Sequence, residues 1–243
     1  MSTRIASHIT TFVSAILLAI CLTGCMGGTS GSPGLSANAS DDNIPAYSGE
    51  AYAVIGDGIP SFTEEELNQP HGTEIYGDLD SLGRCTYAFA IVGPDTEPSE
   101  GEMRGAISDV KPTGWQQAFY KDEIGLDHLY ERSHLIAWRL TAENANPQNL
   151  ITGTMYMNSS TMTQFESEID DYVDDTGGYV AMRSTPYFTD DNLVADGVRI
   201  EALSLDDGGE SVALDVFCYN VQPNVEIDYA TGASSVTTDQ SEP

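Results

Sequence analysis

A chain of 243 residues with 40% apolar and 9% aromatic content can build one sizeable core, so one domain with tails is the default. Its 38 acidic residues against 9 basic ones give a formal net charge of −29, which excludes broad, non-specific attraction to polyanions. Composition alone describes an acidic extracellular protein.

The first element in the chain is a targeting segment. Arg4 precedes an apolar run from Ile9 to Ile20 that is too short and too soon interrupted to span a membrane. It ends in Leu22-Thr23-Gly24-Cys25, which resembles the bacterial lipoprotein signal, where a cysteine after small residues is lipidated and becomes the new N-terminus. The reading is a signal peptide over 1–24, then a lipidated Cys25 and a flexible tether over 25–43, rich in small and polar residues. The protein is then exported and lipid-anchored to the outer face of the bacterial membrane. An ordinary secretory signal with an incidental cysteine is the alternative. Only Cys85 and Cys218 then remain in the domain; export permits a disulfide, while their apolar, strand-like surroundings suit two buried thiols equally well.

Beyond the tether, β-like runs follow at 52–55, 85–92, 134–138, 179–188, 192–205 and 211–221. One segment is clearly helical: after Asn158, Met162, Phe165, Ile169, Tyr172 and Val173 recur at helical spacing, and Gly177-Gly178 ends it. The tail 233–243 is polar and reads as disordered. The architecture is α+β with a central, mostly antiparallel sheet, and the domain spans 44–232.

The few cations are unevenly placed. Arg84, Arg104, Lys111, Lys121, Arg132 and Arg139, six of the nine, lie within 84–139 beside nine acids, whereas the rest of the chain holds 29 acids and three bases. Any anion site belongs in that stretch, unless these cations make only ordinary surface ion pairs.

Within it, Arg132 and His134 are two apart at a β-like run, so an extended backbone sets them on one face. A cation beside a proton acceptor suits a phosphate; a histidine bonded to backbone at a strand end is the bland reading. Asn158 falls in line with the apolar face of the helix, where a primary amide must be paired. It is either a helix N-cap, which spacing alone favours, or an oxygen ligand for a hard cation such as magnesium. Glu166, about 80° round the helix from Asn158, could hold a water on such an ion. In the loop 141–150, Asn144 and Asn146 read as turn residues, and Asn149 as the one that orients something.

These residues together resemble a known family. His134-Leu135-Ile136, Glu143-Asn144-Ala145-Asn146, Asn149 to Thr154, Tyr156-Met157-Asn158 and Phe165-Glu166 are similar to the DNA/RNA non-specific endonucleases, which are ββα-metal (His-Me finger) nucleases. The likeness extends upstream through Leu79 to Arg84 and Lys111 to Trp115, and downstream through Asn220 to Pro223 and Ile227 to Gly232, covering roughly 44–232. The resemblance implies His134 as general base, Arg132 on the scissile phosphate, and Asn158 as the one direct protein ligand of magnesium, with manganese as its alternative. It further implies Glu166 holding metal-bound water, Asn149 contacting phosphate or supporting the base, and, by a looser match, Arg104 stabilising transition-state charge. DNA and RNA are the implied substrates, with 5′-phosphate products and a rate that falls as a histidine of ordinary pKa, ~6.5, protonates. Glu131 and Ser133 depart from the family's Asp-Arg-Gly-His motif, one lengthening an acid and the other adding bulk beside the base. A surface lipoprotein that captures DNA without cutting it is the alternative.

Overall fold

The computed structural model describes residues 44–237. The signal peptide, Cys25, the tether up to residue 43 and the last six residues of the tail lie outside the described residues. Six strands form one antiparallel sheet: β1 (Tyr52–Val54), β2 (Glu74–Tyr76), β3 (Ala88–Val92), β6 (Val180–Tyr187), β7 (Gly197–Ser204) and β8 (Ala213–Tyr219), in the order β1-β8-β7-β6-β3-β2. The α+β reading with a central antiparallel sheet therefore holds.

Alternation along the strands divides the core in two. Ala88, Ala90 and Val92 of β3, with Met182 of β6 and Ile200 of β7, face a large cluster completed by Met162, Phe165 and Ile169 of the helical segment. Phe89 and Ile91 point the other way, onto a smaller cluster with Phe62 and Leu67. That second face is closed by α1 (Glu64–Leu67), whose Glu66 pairs with Arg183 on β6. Glu201 on β7, the register partner of Arg183, bonds it at 2.7 Å and also accepts from Ser61.

After α2 (Lys121–Ile124), a separate hairpin carries the functional motif. It joins β4 (Tyr130–His134) to β5 (Leu150–Thr154), with Glu131 opposite Gly153 and His134 opposite Leu150. Asn220, fully buried after β8, fixes the hairpin to the main sheet: its Oδ1 accepts from Thr154 N–H, and its Nδ2 donates to Thr152 O and Ala195 O. The chain then passes through a π-helical turn (Met157–Met162) into α4 (Thr163–Thr176), which ends at Gly177 with φ 68°.

The structure departs from the sequence reading in three places and decides a point it left open. The strand expected at 134–138 ends at His134; Leu135-Ile136-Ala137 is buried coil leading to α3 (Trp138–Thr141), because Asn149 supplies its hydrogen bonds and no neighbouring strand does. A short apolar run buried on all sides has no period that marks it as strand or coil. The run at 192–205 forms a strand only from Gly197; Leu193 and Val194 donate instead to Tyr229 O. Beyond residue 232 the domain continues, since β9 (Val225–Ile227) pairs with β10 (Ser234–Val236), so the start of the tail is ordered by this hairpin. The cysteines are two buried free thiols: Cys85 bonds to Pro147 O and Leu150 O, and burial pushes its pKa up to about 12.

Candidate active site

His134 ends β4 with 6% of its surface exposed. Its Nε2 lies 2.8 Å from Asn144 O and its Nδ1 3.1 Å from Arg104 Nη2. A guanidinium only donates, so Nδ1 is the acceptor and Nε2–H donates to the carbonyl. The ring is thus held as one neutral tautomer. Burial pushes its pKa down to about 4; the Asn144 carbonyl opposes this, and the charge of Arg104 adds to it.

The opposite face of β4 handles Asn158. Its Nδ2 donates to Glu131 Oε2 at 2.7 Å, and its Oδ1 accepts from Ser133 Oγ at 2.6 Å. A carboxylate only accepts, so Glu131 fixes which end of the amide is oxygen. Glu131 also accepts from Ser159 Oγ at 2.7 Å and meets His128 Nε2 at 3.0 Å. Burial alone would raise its carboxyl pKa; these hydrogen bonds outweigh that and hold it below the ordinary glutamate range. Asn158 is therefore not an N-cap. The π-helical turn carries it out of line with Phe165 and Ile169, so its amide meets β4 and stays out of the apolar core.

Glu166 on α4 is buried, which pushes its pKa up to about 7 against the opposing charge of Arg139 on α3, whose Nη2 lies 3.7 Å away. Arg104 acts electrostatically on Glu166 as well as on His134. Arg139 also donates to Thr163 O, while Thr163 Oγ1 donates to Asn158 O, joining α3, α4 and the π-helical turn.

Two expected residues make other contacts within the protein. Arg132 shares the face of His134, yet its Nε donates to Val110 O at 2.5 Å and its Nη2 to Ser108 O at 2.9 Å, with the guanidinium 4.2 Å above the Trp115 ring. The cation that reaches the base is Arg104. Asn149 is fully buried and spends both ends of its amide on Ile136, accepting from its N–H and donating to its carbonyl, each at 3.0 Å. It supports the backbone just past His134 and has no free group for phosphate. Asn146 is a turn residue as expected, its Oδ1 accepting from Gln148 N–H. The holding role of Asn144 was missed because it runs through a backbone carbonyl, which any residue supplies.

No group of three His, Cys, Asp or Glu side chains among the described residues is arranged to hold an ion. A divalent ion here would take one protein oxygen and water. The donor chemistry fits: Asn158 Oδ1 is a hard oxygen, and the Glu131 carboxylate on the same amide strengthens it as a donor.

The chain matches the family described as DNA/RNA non-specific endonuclease over residues 64–205. It is similar to NucA from Streptococcus agalactiae with magnesium bound, at 25% identity and TM-score 0.68, over 81% of this chain and 91% of that one. The same protein with no metal bound gives 26% identity and TM-score 0.62, over 74% and 84%. The Sda1 nuclease with bound zinc shares the fold, at 23% identity and TM-score 0.62, over 77% and 97%. The family match runs from α1 to the end of β7 and so includes β4, β5, the π-helical turn and α4, the elements that bring Arg104, His134, Asn158 and Glu166 together. The chain belongs to the DNA/RNA non-specific endonuclease family and is a phosphodiester hydrolase.

Proposed function

We propose that the protein cuts DNA and RNA by metal-assisted hydrolysis, with His134 as the base and Asn158 as the metal ligand. The observation that carries this reading is the fixed neutral ring of His134, with Nε2–H spent on Asn144 O and Nδ1 left as the acceptor beside Arg104. Magnesium or manganese on Asn158 Oδ1 would stabilise charge on the phosphate and on the departing oxygen. Once Arg104 turns from Nδ1 to the phosphate, the freed His134 Nδ1 lone pair takes the proton of a water whose oxygen attacks phosphorus in line. The P–O3′ bond breaks and the departing oxygen takes a proton from solvent water, leaving a 5′-phosphate and a 3′-hydroxyl. Burial keeps the base unprotonated until the reaction, the charge of Arg104 adding to this, and Arg104 holds the phosphate beside it. Glu166 orients water around the ion, while Arg132 and Asn149 position backbone.

The soluble domain should nick a plasmid with magnesium, stop with EDTA and resume when magnesium is restored. His134→Ala should lower the rate by roughly 10²–10⁴-fold with its circular dichroism unchanged. Near wild-type nicking by that variant would remove the assignment.

The protein is exported and held on the outer face of the cell membrane through Cys25, a reading supported by Leu22-Thr23-Gly24-Cys25 after the apolar run. Cys25→Ser should move the nuclease from the membrane fraction to the medium; equal retention by the membrane would overturn the anchor.

A further inference from the structure

Resting on the reaction proposed at His134, the geometry points to a nucleobase subsite beside it, where one base flanking the reacting phosphate stacks on the guanidinium plane of Arg132. The Nε–Nη2 edge of an arginine is one of its two forks for a phosphate, the other being Nη1–Nη2. In this protein that edge is used up by Val110 O and Ser108 O. What remains is a flat cation fixed along one edge and backed on one face by Trp115, 4.2 Å from the ring centroid. Such a plane is already ordered, so a ring stacking on it loses little further side-chain freedom.

The plane opens onto a cleft of about 460 Å³, lined also by Arg104, Asn158 and Tyr130. That volume lies within the ~300–1,000 Å³ of ordinary ligand sites. Because Arg104 also contacts His134 Nδ1, the cleft and the reacting centre share a side chain. A nucleotide whose phosphate meets Arg104 would therefore carry its sugar and base towards Arg132. Stacking suits an enzyme without sequence preference, since every base offers a π face. It also requires a base free of its own stack, which a single strand supplies and a duplex does not.

The test uses single-stranded oligonucleotides with one cleavable phosphodiester, all other linkages being methylphosphonate. One form is intact; in the others the base on the 5′ or the 3′ side of the cleavable bond is removed. Wild-type protein should lose roughly 5- to 150-fold in kcat/KM, the range of one base stack, for one of the two deletions and little for the other. Arg132→Lys keeps the charge but loses the plane, so it should cut the intact strand no better than the wild type cuts the sensitive abasic strand, and the difference between strands should vanish. Equal cleavage of all strands by the wild type would overturn the subsite, as would a full base dependence surviving in Arg132→Lys. The wild-type comparison needs no variant to fold. His134→Ala separates the two readings: if it cuts as well as wild type, the assignment at His134 fails and the subsite with it, whereas cleavage that needs His134 but ignores the flanking base removes the subsite alone.

Discussion

His134 and Glu166 have been moved in opposite directions by the same cause. Burial removes charge from both, pushing the histidine down to about 4 and the glutamate up to about 7. An acid limb near the ordinary histidine value, as expected from sequence, therefore does not belong to His134. In the metal-free protein Glu166 takes up its proton at about 7, and a divalent cation bound beside it would hold that carboxyl ionised to lower pH. The same shift has a cost in stability. Below about 4.5 Glu166 is neutral in both folded and unfolded chains; as the pH rises through about 7 the folded chain must hold a buried charge. Its ionisation thus destabilises the fold progressively over that window, by ~3 kcal/mol above it at about 1.4 kcal/mol per pKa unit. Glu166→Gln should raise the melting temperature of the metal-free protein at pH 8 by about 5–10 °C, with the gain vanishing below pH 5, and should abolish most nicking. A melting temperature at or below wild type at pH 8 would show that the carboxylate is not under this strain.

Between elements, the site depends on how closely β4 lies to β5. A Cβ added to Gly153 would fall 2.6 Å from Ser133 Cβ and 3.0 Å from Met157 Cε, so the hydroxyl that meets Asn158 fits only because β5 has no side chain there. Gly153→Ala should therefore cost ~1–3 kcal/mol, and adding Ser133→Gly should recover most of it. Urea midpoints of the two single variants and the double variant read this coupling, and additive effects would refute it. This pair also shows what the sequence made legible. The helix from Met162 to Val173 and the alternating β7 announced themselves by period, whereas His134, Asn158 and Glu166 stood out only through the family resemblance, spacing alone having favoured an N-cap for Asn158. The partners of those residues were not legible. Glu131 and Ser133 read as departures from a motif, yet they are the two groups that hold the Asn158 amide. Arg132 was placed on the correct face, but only the fold shows the two loop carbonyls that occupy it. Arg104, thirty residues from His134 in the chain, reaches it through a loop whose course no local pattern encodes. The π-helical turn was illegible for a related reason: one extra residue per turn leaves no signature in a short polar run.

At the scale of the molecule, an acidic body must receive a polyanion. Arg84, Lys121, Arg139, Arg183 and Arg199 each pair with a carboxylate. Among the described residues, Arg104, Lys111 and Arg132 are the cations without one; all three fall within 104–132, and Arg104 and Arg132 line the cleft. Added salt then has two effects of opposite sign: it screens the general repulsion, and it competes with the substrate phosphates for the cations proposed to meet them, Arg104 and Lys111. Lys111→Ala should raise KM with kcat nearly unchanged and flatten the high-salt dependence of log KM by about 0.7–0.9 per decade of salt; an unaltered slope would place the substrate elsewhere. The cleft also depends on the far end of the chain. Gly232 approaches Gly114 so closely that a Cβ there would meet its carbonyl oxygen at 1.8 Å; Thr231 O accepts from Gln116, and Gly232 O from Tyr130. These contacts brace the loop bearing Trp115 and the strand bearing His134 with residues that follow every reacting group in the sequence. Translation therefore delivers the proposed base, its partner amide and the buried acid before it delivers the brace that steadies them. A chain still emerging from the ribosome, close to the cell's own nucleic acid, carries the reagents of hydrolysis without their finished frame.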